Sequence, residues 1–87
     1  MSTTAIEQDY QRMADYTKMA IELAGGTAAL GRFIRQQGHQ ITTQAISQWL
    51  IVPPARVFLV EKATGGQITR HDLRPDIFGG RNEIYSI

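Results

Sequence analysis

Three glycine positions, Gly25-Gly26, Gly38 and Gly65-Gly66, cut this chain into segments that each carry a helical repeat of apolar residues. Glycine accepts the left-handed backbone conformation that closes a helix, so each position reads as a stop. Before the first stop, Ile6, Tyr10, Met13, Thr17, Ala20 and Ala24 recur at three- and four-residue steps, which is the spacing of one helix face. Thr4 to Glu7 has capping-box spacing, placing the start of helix 1 just after Thr4. Thr27 is the expected cap of helix 2, whose Ala28, Leu30 and Ile34 run to about Gln37 before Gly38.

Thr42 is the expected cap of helix 3, with Ile41 and Ile46 at the staple positions and Ile46, Trp49 and Leu50 on its inner side. Val52-Pro53-Pro54 then breaks the chain, and Pro54 suits the first turn of helix 4. Val57, Phe58, Val60 and Ala63 supply that helix with a wide apolar face. Thr69 to Asp72 repeats the capping-box spacing for one short turn ending at Leu73, which Pro75 stops. No segment alternates as a strand does. The expectation is an all-α, five-helix domain over residues 1–78, with residues 79–87 as a flexible or dimerising tail.

Length and composition exclude several classes. Eighty-seven residues allow one domain, near the lower limit for a core without staples. There are no cysteines, and His39 and His71 are too isolated for a zinc site, so no metal or cofactor is expected. No apolar run approaches a membrane span, and the N-terminus lacks a signal-peptide layout, so a soluble, cytoplasmic protein is expected. His71 and Asp72 could suggest acid–base chemistry. They sit at a helix start without a nucleophile or third partner, and no enzyme is expected.

Charge distribution is more informative than the net +1. Residues 1–22 hold four acids against two bases, and residues 61–87 balance four with four. Residues 23–60 hold Arg32, Arg35 and Arg56 and no acid at all. An acid-free block in a small domain is a natural seat for a polyanion. Within it, helix 3 carries an uncharged polar face where Lys and Glu would ordinarily solvate a surface. Gln44 and Gln48 are four apart, with Thr43 and Ser47 beside them. Glutamine can bond adenine N6 and N7 together, and Ser and Thr donate or accept as needed. Gly31 provides the small residue that a helix-turn-helix needs where its second helix crosses the first. Helices 2 and 3, about residues 27–50, therefore read as a helix-turn-helix, with Arg32, Arg35 and Arg56 toward phosphate and His39 a further phosphate candidate.

These residues also carry a family resemblance. Ala24-Gly25-Gly26-Thr27-Ala28-Ala29-Leu30, Ala45-Ile46-Ser47-Gln48-Trp49, Pro54-Ala55-Arg56, Glu61 to Gly66 and Thr69 to Asp76 resemble the Cro-like, YdaS-type regulators of prophages over residues 20–78. The resemblance implies a lambda-repressor-like domain that binds operator DNA as a dimer, with half-sites about 34 Å apart. It places base reading on Thr42, Thr43, Gln44, Ser47 and Gln48, and a phosphate contact on Thr27. Some relatives are described as antitoxins, which leaves open an antitoxin-like module partnered by the product of an adjacent gene. The chain departs from the family at Arg35-Gln-Gln-Gly-His-Gln40, which lengthens the turn. The added residues either extend helix 2 or loop out toward the DNA backbone.

Overall fold

In a computed structural model, the chain is all-helical over the described residues, 2–80, with side chains described from Asp9 onward. Six α-helices follow one another: α1 Ser2–Leu23, α2 Thr27–Gln36, α3 Thr43–Ser47, α4 Val57–Ala63, α5 Arg70–Leu73 and α6 Pro75–Phe78. A 3-10 turn, Pro54–Arg56, leads into α4. The helix count exceeds the expected five because Pro75 does not stop the chain. It takes the first position of α6, where its missing N–H is no loss.

The glycine stops act through one repeated device. After α1, α2 and α4, the residues Gly25, Gly38 and Gly65 have φ of 101°, 90° and 66°. Each donates to the carbonyl three residues back, and the residue after each donates five back: Gly26 to Ile21, His39 to Ile34, Gly66 to Glu61. This paired closure satisfies carbonyls that a helix end leaves bare. It also settles the lengthened turn: α2 ends at Gln36, and residues 37–42 form a loop.

Leu30 and Ile34 of α2, Ile46 of α3, Val57 and Val60 of α4, and Leu73 of α5 meet with Ala20, Val52 and Ile68 in one core. Met13, Thr17 and Ala20 form the buried stripe of α1. Thr4 and Glu7 lie where side chains are outside the description, and α1 already begins at Ser2. Residues 81–87 of the expected tail also lie outside the described residues.

Three expectations are corrected. Thr27 is not a cap: Gly26 takes that position, and its carbonyl accepts the Leu30 N–H at 2.9 Å, making Thr27 the first helical residue. Leu50 is 62% exposed, because α3 ends at Ser47 and helical spacing no longer governs position 50. Phe58 is likewise half exposed, with its ring edge-on to Phe78 at 5.4 Å and the Arg70 guanidinium 4.6 Å from its centre.

The C-terminal elements are closed by polar contacts. Thr69 and Asp72 form a complete capping box at the start of α5, as their spacing predicts. Glu61 accepts from both the backbone and the side chain of Arg70 at 3.1 Å. His71, with its proton on Nδ1, donates to the carbonyls of Phe78 and Gly79. Arg74 forks onto Asp76 at 3.0 and 2.8 Å. That hydrogen bond, more than Coulomb attraction, raises Arg74 and holds the Asp76 carboxyl below its ordinary range, against some desolvation.

Candidate nucleic-acid interface

The α2–α3 crossing is close because Gly31 has no side chain. A methyl group at Gly31 would stand 3.4 Å from Ile46 Cδ1 and Thr43 Oγ1, and 3.1 Å from Arg35 Nη1. Gly31 is buried, and Ile46 from α3 is fully buried beside Leu30 and Ile34. The expected small residue is therefore at the crossing.

α3 itself is only five residues long. Its start is well defined: Thr42 accepts the Ala45 N–H at 3.0 Å, and the flanking Ile41 packs on the same core as Ile46. Its end tightens into three-residue bonds, Gln48 to Ala45 and Trp49 to Ile46. The following Ile51-Val52-Pro53 disfavours continuation, since a residue before proline is pushed out of the helical region. Gln48 nonetheless keeps helical dihedrals, φ −91° and ψ −5°, and so remains about one turn beyond Gln44.

The side chains expected to read bases divide by what already occupies them. Gln44 and Gln48 are exposed. Thr42 is exposed but its oxygen is engaged as the cap, and Ser47 donates to the Gln44 carbonyl at 2.7 Å. Thr43 is half-buried against Gly31. Two free amide heads on one turn thus form the unoccupied part of the face, with hydroxyls around them.

The expected phosphate ligands divide as well. Arg35, His39 and Thr42 share an open concavity of about 480 Å³ with Gly38, Gln40 and Ile41. Arg35 donates to the Ile41 carbonyl at 2.9 Å, and Arg56 to the Gln40 carbonyl at 3.1 Å. Arg32 lies exposed on α2, one turn before Arg35. Thr27 is not part of this cluster: it starts α2, eight residues and about 12 Å of helix rise before Arg35.

Sequence reasoning missed the carbonyls of Gln40 and Ile41 as arginine acceptors. A signal existed, because a non-helical stretch must find donors for its carbonyls, and the nearest strong donors were the arginines. It also missed the Lys62 ammonium at 3.4 Å from the Gln37 side-chain oxygen.

Among the described residues, no group of three His, Cys, Asp or Glu could hold a metal, and no helix is long and apolar enough to cross a membrane. Compared with known protein families, residues 17–82, most of the chain, match the family described as bacterial toxin YdaS. No curated protein and no solved structure matches the chain.

Proposed function

We propose that this chain, which belongs to the bacterial toxin YdaS family, is a sequence-specific DNA-binding transcriptional regulator of the Cro type. In this reading residues 1–78 are one lambda-repressor-like domain, α2 and α3 are its helix-turn-helix, and α3 enters the major groove. Gln44 and Gln48 read base edges, with Thr42, Thr43 and Ser47 framing them. Thr27, Arg32 and His39 contribute backbone contacts, and Arg35 and Arg56 add positive charge at the loop. Few bases per protomer imply modest affinity for one copy, so a dimer spanning two half-sites completes the reading. It is a binding protein of the cytoplasm and nucleoid, not an enzyme.

The observation that carries the proposal is the pair of exposed amides, Gln44 and Gln48, on a helix packed closely over Gly31, within a stretch that holds arginines and no acid. The test is titration against labelled duplex from around the protein's own gene, with excess random duplex present. Saturable binding that weakens with salt supports it. Gln44→Ala should then cost about 1–3 kcal/mol and relax specificity at one base pair. Wild-type affinity in both Gln→Ala variants would remove α3 as the reader.

A second reading is an antitoxin-like protein–protein interaction module of a toxin–antitoxin or prophage control locus, kept beside the first because the family is described as a bacterial toxin. Half-exposed Tyr10 and exposed Leu50 line a shallow concavity that could serve a partner. A stable complex with an adjacent gene's product, masking residues 1–12 or 79–87 while DNA binding stays weak, would move the assignment there.

A further inference from the structure

The loop between α2 and α3 is tied down by cations that reach it from two separate elements. Arg35, near the end of α2, holds the Ile41 carbonyl at 2.9 Å. Arg56, from the 3-10 turn before α4, holds the adjacent Gln40 carbonyl at 3.1 Å across 16 residues of sequence. These are successive peptides, and neither lies in a helix. Thr42, the cap of α3, follows immediately. Gly31 gives Arg35 its path, since a methyl group there would sit 3.1 Å from the donating Nη1.

A five-residue helix cannot fix its own direction. It is shorter than the length at which helices persist alone, and only Ile46 within it is fully buried. One fully buried side chain, with Thr43 half-buried and Ile41 and Trp49 packed on the core beside it, still leaves the helix some freedom to rock about its axis. Bonds to two consecutive carbonyls just before the cap remove that freedom, because they fix the peptide planes from which α3 departs.

We infer that Arg35 and Arg56 are positioning residues for recognition: their task is to aim α3 through the Gln40 and Ile41 carbonyls, and phosphate contact is not their principal role. The inference rests on the DNA-binding reading above. It separates two quantities that a phosphate role would join. Base contacts need correct aim, and losing one bidentate pair is worth about 5- to 150-fold in discrimination. Attraction to phosphate is sequence-independent and tolerates a rocking helix.

The test uses the full chain with Arg35→Met and Arg56→Met, which keep an apolar stem and remove the donating fork. Each is titrated against a duplex that the wild type selects from a random pool, and against a random duplex of equal length, over a range of KCl concentrations. Positioning predicts that affinity for the selected duplex falls about ten-fold or more, within the range of a lost base contact. Affinity for the random duplex should stay within about three-fold, and the salt slope should change by less than half of the ~0.9 expected per lost phosphate contact. Equal losses on both duplexes, with the slope falling by the full ~0.9, would make these arginines phosphate ligands and overturn the inference. Hydrogen exchange on the free protein provides a readout without DNA. The amides of Ala45 and Ile46, which donate to the Thr42 hydroxyl and carbonyl just beyond the tethered peptides, should lose protection in both variants, and unchanged protection would overturn positioning even if DNA binding holds. A wild type that selects no duplex, with protection at Ala45 and Ile46 still lost in the variants, would instead defeat the DNA-binding reading and leave the tethers as structural only.

Discussion

Thr17 offers the sharpest check on how the segment after α3 is held. It is buried on α1, where its hydroxyl donates to the Met13 carbonyl at 2.8 Å and accepts the Val52 N–H at 3.3 Å. Val52 is fully buried and outside any helix, so its N–H has no regular partner to fall back on. Thr17→Val keeps the shape and removes the acceptor. The Met13 carbonyl lies inside α1 and keeps its helical donor, so the Val52 N–H is the only group stranded. A stranded buried donor costs about 1–3 kcal/mol, and a bond as long as 3.3 Å places this one toward the lower end, about 1–2 kcal/mol. For a domain of this size that lowers Tm by roughly 5–15 °C. Thr17→Ser keeps the oxygen and loses one methyl group, about 0.8 kcal/mol. Thermal melts followed by circular dichroism, with amide exchange read at Val52, separate the two. The Val variant should lose Val52 protection, and the Ser variant should retain it. A Thr17→Val protein with Tm within ~2 °C of wild type and unchanged exchange at Val52 would refute the reasoning.

Two further predictions follow from the same kind of accounting. Asp76 is held below its ordinary range chiefly by the Arg74 hydrogen bond, so the folded state favours its carboxylate and the unfolded chain binds the proton more readily. The resulting stability is fully present above the ordinary aspartate value of about 3.9 and is lost as pH falls through the lowered folded value; Asp76→Asn should remove this acid-limb dependence in melts taken across that window. At Gly31, an alanine gains about 1 kcal/mol of helix propensity but crowds the Arg35 guanidinium, so melts should show little net change while amide exchange at Ala45 and Ile46, which bond to Thr42, rises. Gly31→Val must place two more carbons in the gap beside Ile46 and Thr43, and should destabilise by about 1–3 kcal/mol; wild-type stability in Gly31→Val would mean that the crossing is not tight.

What was legible in the sequence was what is decided locally. Gly25, Gly38 and Gly65 end helices because the left-handed residue is a backbone requirement that few other side chains meet. Thr42 and Thr69 cap because an oxygen three residues before a bare N–H needs no tertiary context. Gly31 was legible because a helix crossing leaves room for little else. Local reasoning failed where a neighbour competed for the same role. Gly26 supplied the accepting carbonyl that Thr27 was expected to accompany as cap, since two turn glycines already carried the chain into α2. Leu50 was assigned inward by a helical period that stopped at Ser47, and Phe58 is shielded on the surface by Phe78 and Arg70 rather than by the core. The positive groups of the site were visible as composition, but their targets were not. Arg56 meets Gln40 only after the chain has folded, and no periodicity encodes that pairing.

The polar contacts around α3 fall at its two ends. Before it, Arg35 and Arg56 hold the carbonyls of Ile41 and Gln40. After it, Thr17 takes the Val52 N–H and Arg74 donates to the Val52 carbonyl at 3.2 Å. Both ends are thus fixed through backbone groups, and Gln44 and Gln48 lie between them with their side chains exposed. These bonds satisfy backbone groups that lie outside any helix, and they also fix the direction in which α3 is presented. Tethers at both ends matter when side-chain direction matters. Their placement on the backbone also leaves side-chain identity at 44 and 48 free to change without loosening the frame. On the proposed DNA-binding reading, substitutions at Gln44 or Gln48 should therefore alter which duplex is selected with little effect on Tm, whereas substitutions at Thr17, Arg35 or Arg56 act on how firmly the segment is presented.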